Sequence, residues 1–162
     1  MALRKPLVLG DDGLPQALQP SDTISAPTNA PSLRTATNGE SATALPFGTP
    51  VYASSGTAVK RGQANAKATS KIIGLTYEAS IAAGANGSVA QGGILTGTTA
   101  QWDAVAGTTG GLAFGTYYFL DATNPGKLTA TPPTTPGLVN VCVGSALSST
   151  EMEVDVELPI LL

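Results

Sequence analysis

Residues 115–130 read Gly-Thr-Tyr-Tyr-Phe-Leu-Asp-Ala-Thr-Asn-Pro-Gly-Lys-Leu-Thr-Ala, and this stretch narrows the possible folds more than any other. Tyr117, Tyr118, Phe119 and Leu120 form an aromatic run of high β-propensity. Residues 121–126 are dense turn chemistry: Pro125 fixes φ, and Gly126 is free to take positive φ. Lys127-Leu-Thr-Ala130 resumes an extended pattern, which predicts a β-hairpin with a longer loop. After a proline-rich connection, Gly137-Leu-Val-Asn-Val-Cys-Val-Gly-Ser-Ala-Leu147 is expected to return as a strand.

A looser copy lies upstream. Gly48-Thr-Pro-Val-Tyr52 corresponds to Gly115-Thr-Tyr-Tyr-Phe119, and Ile72-Ile-Gly-Leu75 to Val143-Gly-Ser-Ala146. Between them, 53–57 serve as the turn and Ala58-Val-Lys-Arg61 as the second strand. The pattern predicts a pseudo-repeat.

The 162 residues suit one compact body plus a tail. Charged residues make up 12%, against about 25% in globular proteins at large. Low charge with abundant Gly, Thr and Ser favours short strands and tight turns over solvated helices. The expectation is an all-β, small antiparallel sandwich or barrel, jelly-roll-like, spanning residues 40–162 behind an extended N-terminal arm of residues 1–39. The arm carries Pro6, Pro15, Pro20, Pro27 and Pro31, and its apolar residues are too sparse for a core of their own.

Within the body, Lys71-Ile-Ile-Gly-Leu-Thr-Tyr77 is the most apolar strand of the first half. Asn86-Gly87 is expected to turn a hairpin, and Gly92-Gly93 to bend the strand that follows. Trp102, in Thr99-Ala-Gln-Trp-Asp-Ala-Val105, is by default a core or interface plug on a short helical turn or strand, with a sugar-stacking platform as its functional alternative. Near the C-terminus, Met152, Val154, Val156 and Leu158 alternate with Glu151, Glu153, Asp155 and Glu157. This reads as a strand with a solvated acidic face that discourages edge pairing. Docking to a basic surface and weak Ca²⁺ binding are the functional alternatives. Ile160-Leu-Leu162 is expected to be tucked away.

Much chemistry is excluded outright. The chain has no histidine, which removes the common triads and imidazole metal sites. Cys142 is the sole cysteine, so no intrachain disulfide forms, and its Val-rich surroundings suit a buried structural thiol. Neither phosphate-binding nor dinucleotide motifs occur. The eight basic residues are scattered and the net charge is −3, which argues against a nucleic-acid partner. Apolar runs fall short of a membrane span. The expectation is a non-enzyme without cofactor or metal, made in the cytoplasm.

Leu3-Arg-Lys-Pro-Leu-Val-Leu9, the Asp11-Asp-Gly13 turn and Leu18-Gln-Pro-Ser-Asp-Thr-Ile24 resemble the start of many tailed-bacteriophage virion proteins. The body resembles small phage capsid decoration (cement) and head-fibre proteins. The carrying phrases are Gly48-Thr-Pro-Val-Tyr52, Ile73-Gly-Leu75, Gly84-Ala-Asn-Gly-Ser-Val89, Gly115-Thr-Tyr-Tyr118, Pro125-Gly-Lys-Leu128 and Val143-Gly-Ser-Ala-Leu147. The resemblance implies an all-β body, a homotrimer, and attachment to the major capsid protein on the capsid exterior. A tail or head fibre adhesin for host-surface carbohydrate is the alternative. On the capsid reading, Leu3, Arg4, Lys5, Leu7, Leu9, Leu14, Leu18 and Ile24 of the arm are the expected docking residues. Trp102, Tyr117 and Phe119 are the expected subunit contacts.

Overall fold

The computed structural model describes residues 29–162, together with the backbone of two short strands ahead of them, β1 (Leu7–Leu9) and β2 (Pro15–Ala17), paired antiparallel. The remaining strands are β3 (Ser32–Asn38), β4 (Leu45–Pro46), β5 (Pro50–Ser55), β6 (Ala58–Arg61), β7 (Ile72–Thr76), β8 (Ser80–Ile81), β9 (Asn86–Thr96), β10 (Tyr117–Leu120), β11 (Leu128–Thr129), β12 (Val139–Asn140), β13 (Cys142–Ala146), β14 (Glu151–Val154) and β15 (Ile160–Leu161). A single helix among the described residues, α1 (Thr99–Ala106), follows β9. The chain is therefore all-β, as its turn-rich, low-charge composition requires.

Nine strands form one sheet in the order β11-β10-β13-β14-β9-β3-β6-β5-β7, and β7 pairs back onto β9. That last pairing closes β9, β3, β6, β5 and β7 into a small ring, and the other four strands extend from it as a wing. The result is a barrel-like sandwich. Closure removes edges that would otherwise pair with other chains. Ala36, Leu45, Val51, Val59, Ile81 and Val89 form one apolar cluster. A larger one, centred on Trp102, Tyr118, Leu95, Leu120 and Met152, unites the wing and α1 with β7 and β9 of the ring.

The pseudo-repeat is real in three dimensions. A hairpin plus a return strand beside its first strand occurs as β5-β6 with β7, and again as β10-β11 with β13. Each return pairing carries a bulge at the same place, after Val51↔Gly74 and after Tyr118↔Gly144. The Gly48 N–H donates to Thr76 O at 2.9 Å, and the Gly115 N–H to Ala146 O at 2.8 Å. The two glycines have φ of 72° and 73°. A Cβ on Gly74 would lie 2.1 Å from Ala90 O, and one on Gly144 would lie 2.1 Å from Glu153 O, so a neighbouring strand fixes each as glycine. Gly74 thus corresponds to Gly144, and the counterpart of Ile72 is Cys142. This corrects the expected Ile72–Val143 match by one residue, because the close approach of the next strand sets the register.

The register also reveals a further correspondence. Val89 pairs with Arg34, while its counterpart Met152 pairs with Leu95. Leu33-Arg-Thr-Ala-Thr37 thereby matches Ile94-Leu-Thr-Gly-Thr98. β9 is the last strand of the first unit and the first strand of the second, joined through a bend at Gly93, where φ is 87°. The register against β3 slips at this point, which agrees with the Gly92-Gly93 expectation. In the first unit the chain runs on from β3 and closes the ring, with the Thr37 N–H donating to Thr57 O and the Gly39 N–H to Val59 O. In the second unit the counterpart of Thr37 is Thr98, which caps α1 instead.

Three boundaries differ from expectation. The folded body begins ahead of Glu40: β3 is a sheet strand, and the Ile94 N–H donates to Asn29 O. The sequence of β3 concealed this, since only Ala36 and Asn38 in it are buried. Asn86-Gly87 lies in β9, paired with Thr37 and Ala36 of β3, and the turn falls at residues 83–84. β14 ends at Val154 rather than Leu158.

Candidate docking surface

The helix that carries Trp102 is locally encoded. Thr98 caps it, its side chain accepting from the Gln101 N–H while Gln101 Oε1 accepts from the Thr98 N–H. Gly107 ends it in the left-handed conformation. Trp102 and Val105, three apart, face inward. Trp102 is fully buried in its own chain, stacks edge-on against Phe47 at 5.2 Å, and donates from Nε1 to Thr150 O. A side chain so enclosed offers no surface to another subunit, so Trp102 is a core plug and not a subunit contact.

The other expected contacts divide. Tyr117 is 62% exposed, and Phe119 is half-buried beside Thr129 and Cys142. Of the arm residues, Leu3, Arg4, Lys5, Leu14, Leu18 and Ile24 lie outside the described residues, as do the side chains of Leu7 and Leu9.

Met152 and Val154 are buried as the alternation predicts, and Val156 packs against the larger core. Leu158, expected on the same face, is 86% exposed because the strand has already ended. The chain beyond it runs beside β12, with Asn140↔Ile160 and Val139↔Leu161 in register. Ile160 and Leu161 are 59% and 66% exposed, so the C-terminal apolar end is open rather than tucked away.

Tyr117 borders a cleft of about 150 Å³ that contains Cys142, Glu153, Asp155 and Glu157. Burial pushes the Cys142 thiol above its ordinary pKa, the Gly144 N–H offsets this in part, and Glu157 and Asp155 add to the rise. The thiol is therefore protonated and poorly nucleophilic. No cluster of three or more acidic or cysteine side chains among the described residues is placed to hold a metal ion.

Other carboxylates serve the loops. Asp103 accepts from the N–H groups of Gly111 and Gly110 and from the Thr108 hydroxyl, and the Gly111 bond leads in holding its pKa below the ordinary value. Burial works against the Asp121 carboxylate, but the N–H groups of Asn124 and Thr123 outweigh it and lower the pKa. Glu40 is likewise opposed by burial and lowered by the Arg61 backbone N–H and guanidinium, 3.2 Å away.

Phe114 is the feature that sequence reasoning missed. Leu45-Pro-Phe-Gly-Thr49 and Leu112-Ala-Phe-Gly-Thr116 are counterparts, with both leucines buried. Phe47 is only 5% exposed, yet Phe114 is 81% exposed. The visible signal was the repeat itself, had it been followed one residue further towards the N-terminus.

Comparison with known protein families, with characterised proteins and with solved structures returns no match to this chain.

Proposed function

We propose that this chain is a structural virion protein that decorates and stabilises the exterior of a bacteriophage capsid, docking on the major capsid protein lattice as a homotrimer. The observation that carries the reading is the number of large apolar side chains held in the open on a rigid β body. Phe114, Tyr117, Leu158, Ile160 and Leu161 are all more than half exposed. Large apolar side chains left this open are candidate sites of association. The phage-like phrases of the sequence supply the identity of the partner. Repetition over a lattice strengthens contacts that are individually weak, through effective concentration.

The adhesin alternative drew on Trp102 as a platform for sugar stacking. Burial of that ring withdraws this support. A groove lined by Thr123, Thr129, Thr131, Thr134 and Thr135 offers hydroxyls but no aromatic face.

Cryo-microscopy of virions carrying the protein is the test. Density at repeated positions between capsomers is the expected result. Density confined to the tail would replace the cement reading with the fibre one.

A further inference from the structure

We propose that copies of this chain associate by inserting Phe114 of one copy into the apolar cleft beside Phe47 of the next. The first observation is the broken equivalence of the two units. Phe47 and Phe114 stand at the same place in the repeat, each just before a glycine with φ near 72°. In the first unit this place is an interface: the β9–α1 junction seats on it, with Trp102 against the Phe47 ring. A Cβ on Gly97 would lie 2.4 Å from Phe47, which shows how closely the junction fits. In the second unit nothing within the described residues covers Phe114.

The second observation is a receptor of matching size. Pro46, Phe47, Ala79, Ala100, Gln101 and Ala104 line a cleft of about 210 Å³ where α1 meets the Phe47 loop of the first unit. Its walls are uncharged, and most of them are small exposed apolar side chains. An apolar cavity of ~150 Å³ accepts benzene, so this volume suits a phenyl ring. Phe47 reaches the cleft with the small part of its ring that remains accessible. Residues 104–120 surround Phe114 without a charge, so docking buries no ionised group from that loop.

Knob and cleft are separate surfaces of the chain. Two copies can insert their knobs reciprocally as a closed pair, or copies can run head-to-tail and close into a ring when the rotation between them permits. A single phenyl insertion buries only on the order of 150–250 Å² from the ring, well below a standard interface. Association is accordingly weak per contact, and ring closure strengthens it. The inference concerns self-association and does not depend on what the assembled copies bind.

The test is sedimentation of the full chain with two complementary variants. Phe114→Ser removes the knob and keeps the cleft. Ala100→Glu blocks the cleft and keeps the knob, and it places an acid in the first turn of α1, where the helix tolerates it. Wild type should rise above 16.2 kDa with concentration, and each variant alone should stay at that mass with an unchanged melt. An equimolar mixture should form a one-to-one pair and stop there. Wild type remaining monomeric up to about 1 mM, the range of the weakest specific contacts, would overturn the proposal. So would association of Phe114→Ser equal to that of wild type, or a mixture that stays monomeric.

Discussion

Trp102 shows what a single residue reveals and withholds in sequence. One tryptophan in a chain this poor in aromatics reads by default as a plug, but whether it fills its own core or a neighbour's depends on contacts 48 and 55 positions away, with Thr150 and Phe47. Trp102→Ala should cost about 3–5 kcal/mol, the usual range for emptying a large aromatic site, and denaturant unfolding measures it. Tyr117→Ser, at an exposed position, should leave stability within about 0.5 kcal/mol. The titratable groups make a second prediction. Asp103, Asp121 and Glu40 have folded pKa values below their ordinary 3.8, 3.8 and 4.5. Their contribution is thus complete above those values and is lost as pH falls through the lowered folded ones. With no histidine to titrate, stability should be flat from about pH 5.5 to 8 and drop below about pH 4. A marked change near pH 6.5 would contradict this. The Cys142 pKa is raised, so its contribution has the opposite sign and is lost as pH climbs past 9.0.

At the scale of elements, the hairpin of residues 115–130 and its upstream copy were legible because turn residues and aromatic strands are local signals. β3 was not, because its burial comes from pairing with β9 some fifty residues later, and most of its own side chains remain exposed. The one-residue error in matching the units had a similar origin: Gly74 and Gly144 are fixed by the carbonyls of a neighbouring strand, which no local pattern encodes. Gly144→Ala and Gly74→Ala should each destabilise by about 1–3 kcal/mol, the range for forced overpacking, as read by thermal melts. Gly115→Ala is the softer control, since its Cβ would meet nothing within 4 Å and only its φ of 73° opposes the change. Truncation tests the boundary. A chain starting at residue 29 should melt cooperatively, whereas one starting at residue 40 loses β3, opens the ring and should not.

Across the whole molecule, composition was the dependable guide. Low charge and frequent glycine specified strands, and strands needed closure, which the β7–β9 pairing provides. The candidate surface was less legible. Tyr117 stood out as aromatic, but Phe114, Leu158, Ile160 and Leu161 became conspicuous only once their exposure was seen against buried counterparts such as Phe47. The two fused units differ at one equivalent place, with Phe47 covered and Phe114 bare. The most direct measurement is co-sedimentation of the full chain with capsids lacking it, followed by heating of the complexes. The account predicts saturable binding at a fixed number of copies per capsid, with a higher temperature for capsid rupture. Capsids that pellet without the protein, and rupture at an unchanged temperature, would contradict it.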